Sequence, residues 1–144
     1  MTCLRRGHTA GGRPSDAAEN DVVPQFRFLY HTSKFDETVA FWAEQLGLDE
    51  VGGWYEGDDR GAMFAAADGI VELMYSATAP LITDPVYVVY EVDDVERWHA
   101  RAVERGAPPG RWPEEVPRGH REASVLDPNG VIVTCFTKLS NADD

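Results

Sequence analysis

FRFLY at residues 26–30 and VYVVY at residues 86–90 begin two units that share one order of predicted elements. In both stretches large apolar side chains recur at every second position, which is typical of a β-strand with one buried face. Each strand is followed by helical periodicity that stops at a glycine, Gly47 in the first unit and Gly106 in the second. Because further short strands complete each unit, the sequence predicts a β-α-β-β-β pattern that occurs twice.

The two units also have similar spacing. Tyr87 follows Arg27 by 60 residues, and Thr134 follows Glu72 by 62. Two such units can form a curved mixed sheet with the helices on its outer face, and its concave face is then a pocket for a small molecule. We therefore predict an α+β fold.

The predicted fold forms a single domain over residues 23–139. Unit one covers about 25–77 and unit two about 86–138. Residues 1–22 and 140–144 lack hydrophobic periodicity, so we predict that they are flexible tails.

Polar residues mark the predicted ends of the elements. Ser33 and Asp36 are spaced as a capping box at the start of the first helix. Asp93 or Asp94 is the predicted N-cap of the second helix. Asp127-Pro128-Asn129-Gly130 predicts a hairpin turn, since proline fixes one backbone dihedral and glycine accepts a positive φ.

Composition restricts the classes of partner. With 144 residues and a net charge of −12, the chain lacks the surplus of Lys and Arg that nucleic-acid binding needs. The acidity favours a cationic ligand, or simply keeps the protein in solution. No apolar segment resembles a signal peptide or a membrane span, so no membrane partner is expected. Cys3 and Cys135 do not make a disulfide framework, which indicates a reducing, cytoplasmic location.

Three phrases carry a resemblance to a known family. They are FWAEQLGL at 41–48, YEVDDV at 90–95 and RGHRE at 118–122, the last of which precedes the DPNG turn. In this order the phrases resemble the vicinal-oxygen-chelate superfamily, which contains glyoxalase I, extradiol dioxygenases, fosfomycin-resistance enzymes and bleomycin-resistance proteins. The resemblance covers about residues 25–138 and is closest to the metal-free bleomycin-resistance-like branch.

The resemblance implies four site positions. Metal-dependent members place ligands on the first and last strand of each unit, and those positions here are Arg27, Glu72, Tyr87 and Thr134. Glu72 is the one residue of an expected ligand type, and a guanidinium cannot coordinate a cation. The resemblance therefore implies that the fold is kept without a metal centre, and we expect neither a metal nor another cofactor.

Strand alternation extends the predicted pocket to residues in phase with those four positions. These are Leu29, His31, Ile70, Met74, Val89, Glu91, Ile132 and Phe136. Trp54 and Trp112 lie off the helical stripes and suit either stacking on a planar ligand or packing in a dimer interface. The predicted ligand-binding residues are Arg27, Leu29, His31, Trp54, Glu72, Met74, Tyr87, Trp112, Thr134 and Phe136.

Two functions remain open at this point. One is a metal-independent protein that sequesters a small aromatic or cationic antibiotic or metabolite, with Arg27 and Glu72 either anchoring the ligand or filling the former metal site. The other is a lyase, isomerase or dioxygenase of the same superfamily, with Glu72 or His31 as candidate catalytic residue. In both cases the resemblance implies a homodimer, although a closed monomer is an alternative.

Overall fold

The computed structural model describes residues 22–139, so most of the predicted tails lie outside the described residues. Unit one contains β1 (Phe26–Thr32), α1 (Phe35–Ala40), a π-helical turn (Phe41–Gln45), β2 (Glu50–Glu56), β3 (Asp59–Ala66) and β4 (Gly69–Tyr75). Unit two contains β5 (Tyr87–Glu91), α2 (Val95–Glu104), β6 (Glu114–Val116), β7 (His120–Leu126) and β8 (Ile132–Lys138). Neither described helix is long and apolar enough to cross a membrane.

The strands form two four-stranded mixed sheets, which confirms the α+β class. The strand orders are β1-β4-β3-β2 and β5-β8-β7-β6. In each sheet the first strand pairs in parallel with the last, and the other pairs are antiparallel. Leu29 lies opposite Glu72, and Val89 lies opposite Thr134, so the two units repeat the same register.

The two helices begin in different ways. Asp94 is the N-cap of α2, and its Oδ1 accepts a hydrogen bond from the Arg97 amide at 3.1 Å, as predicted. The capping box predicted for the first helix is wrong, because α1 begins at Phe35 with Lys34 as N-cap and has no side-chain cap. The buried Thr32 hydroxyl accepts from the Lys34 amide at 2.8 Å instead.

A π-helical turn ends the first helix. The Leu46 amide donates to the Phe41 carbonyl at 2.9 Å, which is the i to i+5 bond of a π-turn. Phe41 and Trp42 are consecutive and both fully buried. The wider turn lets two adjacent large aromatic side chains face the same core.

One hydrophobic core joins the units, and a buried polar network crosses between them. The core contains Phe41, Trp42 and Phe64 of unit one together with Val125 and Val133 of unit two. At the predicted DPNG turn, the Asp127 carboxylate accepts from the amides of Asn129 and Val131.

The turn also bonds to unit one. The Tyr30 hydroxyl donates to Asp127 Oδ2 at 2.5 Å, and the Thr32 hydroxyl donates to Asn129 Oδ1 at 2.6 Å. Burial and the adjacent carboxylate raise the pKa of Tyr30, so its hydroxyl stays protonated and able to donate. The turn therefore fixes one unit against the other.

Candidate functional site

Strand alternation gives each sheet one face toward the helices and one face away from them. In unit one, Tyr30, Val71 and Leu73 are buried toward the helices, whereas Arg27 and Leu29 are exposed. We call the face away from the helices the open face. Its residues are Arg27, Leu29, His31, Trp54, Met63, Ile70, Glu72 and Met74 in unit one and Tyr87, Val89, Glu91, His120, Glu122, Ser124, Ile132, Thr134 and Phe136 in unit two.

Arg27 and Glu72 form an ion pair on the open face of unit one. Arg27 Nη1 lies 3.0 Å from Glu72 Oε1, so the predicted contact is present. Glu72 is 7% exposed, whereas the Arg27 side chain is 43% exposed. Arg27 Nε also donates to Gln25 Oε1 at 2.6 Å, and Nη1 lies 3.3 Å from the Met63 sulfur. The pair is therefore half-buried, with its carboxylate inside and its guanidinium at the surface.

Tyr87 and Thr134 line a cavity of about 350 Å³ on the open face of unit two. Tyr87 is 59% exposed, while Thr134 is buried. Apolar side chains form most of the wall, and the Ser124 hydroxyl, which accepts from the Arg111 amide at 2.7 Å, adds a polar group. The remaining lining residues are Val89, Gly110, Glu122, Leu126 and Ile132.

The sequence prediction missed the part of this wall that β7 supplies. Ser124 pairs with Thr134 and Glu122 pairs with Phe136, so both lie in phase with predicted site residues. The sequence contained the information needed to find Ser124. The strand alternation that selected Thr134 also selects Ser124 once β7 is paired with β8. Arg111 carries no such signal, because it comes from a loop; its guanidinium lies 2.8 Å from Glu114 Oε2.

Trp54 lies flat on the open face. Its ring covers Gly61 so closely that a Cβ atom there would come within 2.2 Å of the indole. The indole Nε1 donates to Asp59 Oδ1 at 2.7 Å. The ring is therefore held in place on β3, in the same sheet as Arg27 and Glu72.

Trp112 does not join the open face. Its ring meets the His99 ring edge-on at 4.9 Å, and His99 belongs to α2, on the helix side of the sheet. The chain before Trp112 pairs with β7 through the Gly110 amide, which donates to the Ser124 carbonyl, and the Ser124 amide, which donates to the Arg111 carbonyl. The predicted ligand-binding role of Trp112 is therefore not supported by its position.

His31, the predicted candidate, and His120 both lie on the open face and differ in their surroundings. His31 is exposed on the open face at the end of β1. The His120 ring stacks on the Phe136 ring, with centroids 4.5 Å apart. Phe136 thus lies on the predicted face but is partly covered by His120.

The residues at the four positions implied by the resemblance do not fit a divalent metal ion. Arg27 places a cation against Glu72, and tyrosine and threonine hydroxyls stand at the other two positions. Within residues 22–139, no three His, Cys, Asp or Glu side chains are grouped so that they could hold a metal. No hydrogen bond or ion pair of the described chain joins Arg27 or Glu72 to Tyr87 or Thr134.

Two paired β-α-β-β-β units with a ligand-sized cavity on the open face define a protein of the vicinal-oxygen-chelate class. A family model described as "Glyoxalase/Bleomycin resistance protein/Dioxygenase superfamily" matches residues 26–134, and the chain belongs to this family. A search of curated proteins found no match.

Solved structures share the fold at low identity. A glyoxalase I variant from Zea mays has a TM-score of 0.69 at 19% identity; the match covers 80% of this chain but 44% of the maize chain. TioX from Micromonospora sp. ML1 has a TM-score of 0.67 at 17% identity, over 80% of this chain and 98% of its own. A glyoxalase/bleomycin resistance protein/dioxygenase from Nocardioides has a TM-score of 0.68 at 17% identity; the match covers 90% of this chain and 93% of the Nocardioides chain. The chain spans less than half of the maize protein, and at these identities the likeness establishes the fold.

Proposed function

We propose that the protein binds and sequesters a small aromatic or cationic compound without a metal ion. The observation that carries this proposal is the cavity of about 350 Å³ on the open face of unit two. Its size and its wall, which combines apolar side chains with hydroxyl groups and the charged residues Arg111 and Glu122, are typical of small-molecule sites. Tyr87, Ser124 and Thr134 supply hydrogen-bonding groups that would orient a ligand, and none of the three is a catalytic nucleophile with an adjacent base in the described chain.

The Arg27–Glu72 pair supports the metal-independent part of the proposal. A guanidinium 3.0 Å from the carboxylate oxygen neutralises the one acidic group at the four family positions. A divalent cation brought to the same carboxylate would meet the positive charge of Arg27 at short range. We infer that the Arg27 guanidinium takes the place of a metal ion in balancing the charge of the Glu72 carboxylate.

The aromatic or cationic nature of the ligand is supported by the open face and by the net charge. Trp54 and Tyr87 present ring surface there, and an aromatic face attracts planar and cationic groups alike. The net charge of −12 adds long-range attraction for a cation. The proposal places the protein with the bleomycin-resistance-like branch and in the cytoplasm.

A two-fold homodimer belongs to the same proposal. Phe26, Leu29, Val51 and Val89 are large apolar side chains that remain exposed in a single chain. Exposed apolar surface of this kind is typical of an interface. A second copy would cover part of it and complete a closed pocket.

Tryptophan fluorescence tests the binding function. With a planar cationic acridine dye and bleomycin as probes, binding should quench the emission of the intact protein. Tyr87→Ala, which removes the aromatic ring from the cavity wall, should weaken dye affinity by roughly 1 to 3 kcal/mol, the range for a well-packed aromatic contact. Trp112→Ala is the matched control, because Trp112 lies on the helix side, and should leave affinity unchanged. If neither probe binds, or if both variants weaken binding equally, the proposed site is wrong.

The same experiment separates binding from catalysis. A sequestering protein returns the probe chemically unchanged after long incubation, as mass spectrometry would show. A superfamily lyase, isomerase or dioxygenase would convert its substrate. Conversion that disappears in Glu72→Gln or His31→Ala, two residues of the same open face, would move the assignment to an enzyme.

A further inference from the structure

A second cavity lies on the helix side of the protein. It measures about 210 Å³ and is lined by the end of the π-helical turn, the residues before α2 and one face of α2. Three arginines belong to its wall: Arg97, Arg101 and Arg105. They recur every four residues, so they lie along one face of the helix over roughly 12 Å.

These three arginines differ from most of the others in their pairing. Arg27, Arg60, Arg111 and Arg121 each lie within 4.0 Å of a carboxylate. Within residues 22–139, none of the three cavity arginines has such a partner. The contrast is notable because the chain has 25 acidic residues against 13 Lys and Arg.

The three arginines repel one another in the protein alone. Like charges four residues apart on a helix repel one another and lower its stability. The Arg105 guanidinium donates one hydrogen bond, 3.3 Å from Nη1 to the Glu44 carbonyl, which leaves most of its donors available. A bound anion would remove the repulsion and accept from these donors.

The other polar groups of the wall are compatible with an anion at the arginine end. Gln45 contributes a side-chain amide to the wall, whereas the indole N–H of Trp98 is buried and is not available to a ligand. Asp93 and Asp94 lie at the other end, before α2; Asp94 Oδ1 accepts one hydrogen bond from the Arg97 amide, and both carboxylates would repel an anion placed beside them. The acidic groups therefore restrict the anion to the part of the cavity beside Arg101 and Arg105.

We propose that this cavity is a binding site for a small multivalent oxyanion, such as the phosphate group of a phosphorylated metabolite. Arginine forks match phosphate and carboxylate oxygens in pairs of parallel hydrogen bonds. The site is separate from the open face and does not depend on the function proposed for it. An overall charge of −12 disfavours unspecific anion binding, so capture at this cavity would come from the local arginines.

Calorimetric titration with inorganic pyrophosphate, and with citrate in parallel, tests the site. We expect one pyrophosphate per chain, with at least tenfold weaker binding in Arg101→Gln and a further loss in Arg101→Gln/Arg105→Gln. Arg118→Gln is the matched control, since it removes one charge from an exposed turn between β6 and β7. A stronger response to pyrophosphate than to citrate assigns a phosphate ligand, and the reverse order assigns a carboxylate.

Amide chemical shifts provide the second readout. Pyrophosphate should move the signals of α2 and Gln45, and these shifts should fade as salt screens the interaction. Absence of binding, equal affinity in Arg101→Gln and Arg118→Gln, or shifts confined to the open face would each overturn the proposal. Because all three replaced arginines are exposed, the variants should fold, and circular dichroism would verify this.

Discussion

At the scale of single residues, Glu72 is the most informative position on the open face. Glu72→Gln should lower the free energy of unfolding by about 1 to 2 kcal/mol, between the ranges for exposed and buried ion pairs, because only the carboxylate is buried. Urea denaturation measures the change. Glu114→Gln, which removes half of the exposed pair with Arg111, should cost less. Replacing Arg27 and Glu72 together by methionine should be milder than Glu72→Gln, and a double variant that is worse would contradict the pairing.

His99 gives a residue-level prediction for pH. It is 1% exposed, its Nε2 lies 3.1 Å from the Ser124 carbonyl, and burial lowers its pKa from the ordinary 6.5. Below pH 6.5, His99 therefore binds a proton in the unfolded state but not in the folded state. The free energy of unfolding is highest above that pH and decreases as the pH falls toward the lower pKa of folded His99. His99→Gln should flatten this loss in urea midpoints measured from about pH 8 to about pH 5. An unchanged slope in the variant would show that another group is responsible.

At the scale of elements, the DPNG turn is the piece that holds the two units together. Gly130 has φ of +108°, and a Cβ atom there would come within 2.2 Å of the Ile82 carbonyl oxygen. Gly130→Ala should therefore cost at least about 3 kcal/mol, through both strain and a backbone clash. Gly57 offers a control, since its φ is +64° but nothing lies within 4 Å of the added methyl. Gly57→Ala should cost about 1 kcal/mol by thermal or urea unfolding, and equal losses would argue that the Ile82 contact is unimportant.

The elements also show how far the sequence could be interpreted. Strand alternation placed Glu72 and Thr134 on the open face, because side-chain direction in a strand depends on period alone. The capping box at Ser33 failed because α1 begins one residue later, with Lys34 as N-cap, and the Thr32 hydroxyl of the preceding strand accepts from the Lys34 amide. The contact of Trp112 with His99 could not be predicted, because the pairing of its loop with β7 is a tertiary feature that periodicity does not encode.

At the scale of the whole molecule, the two proposals assign ligands of opposite charge to the two sides of the sheets. The net charge of −12 attracts cations toward the molecule, while the stripe of Arg97, Arg101 and Arg105 makes one part of the helix side locally positive. Two ligands of opposite charge could therefore be held on separate sides of the sheets. Sequence composition predicted the first preference; the second needed the structure, since it rests on which arginines lack carboxylate partners.

The overall charge leads to a kinetic prediction for the open face. A cationic acridine dye should associate more slowly as salt rises, because the Debye length shortens from about 10 Å at 0.1 M to about 3 Å at 1 M and screens the field of the protein. A neutral acridone of similar size should associate at a nearly constant rate, since its encounter is not steered. Stopped-flow measurement of tryptophan quenching at several NaCl concentrations gives both rates. If the two compounds show the same salt dependence, the ligand is recognised by shape and ring stacking alone, and the cationic part of the proposed function would have to be abandoned.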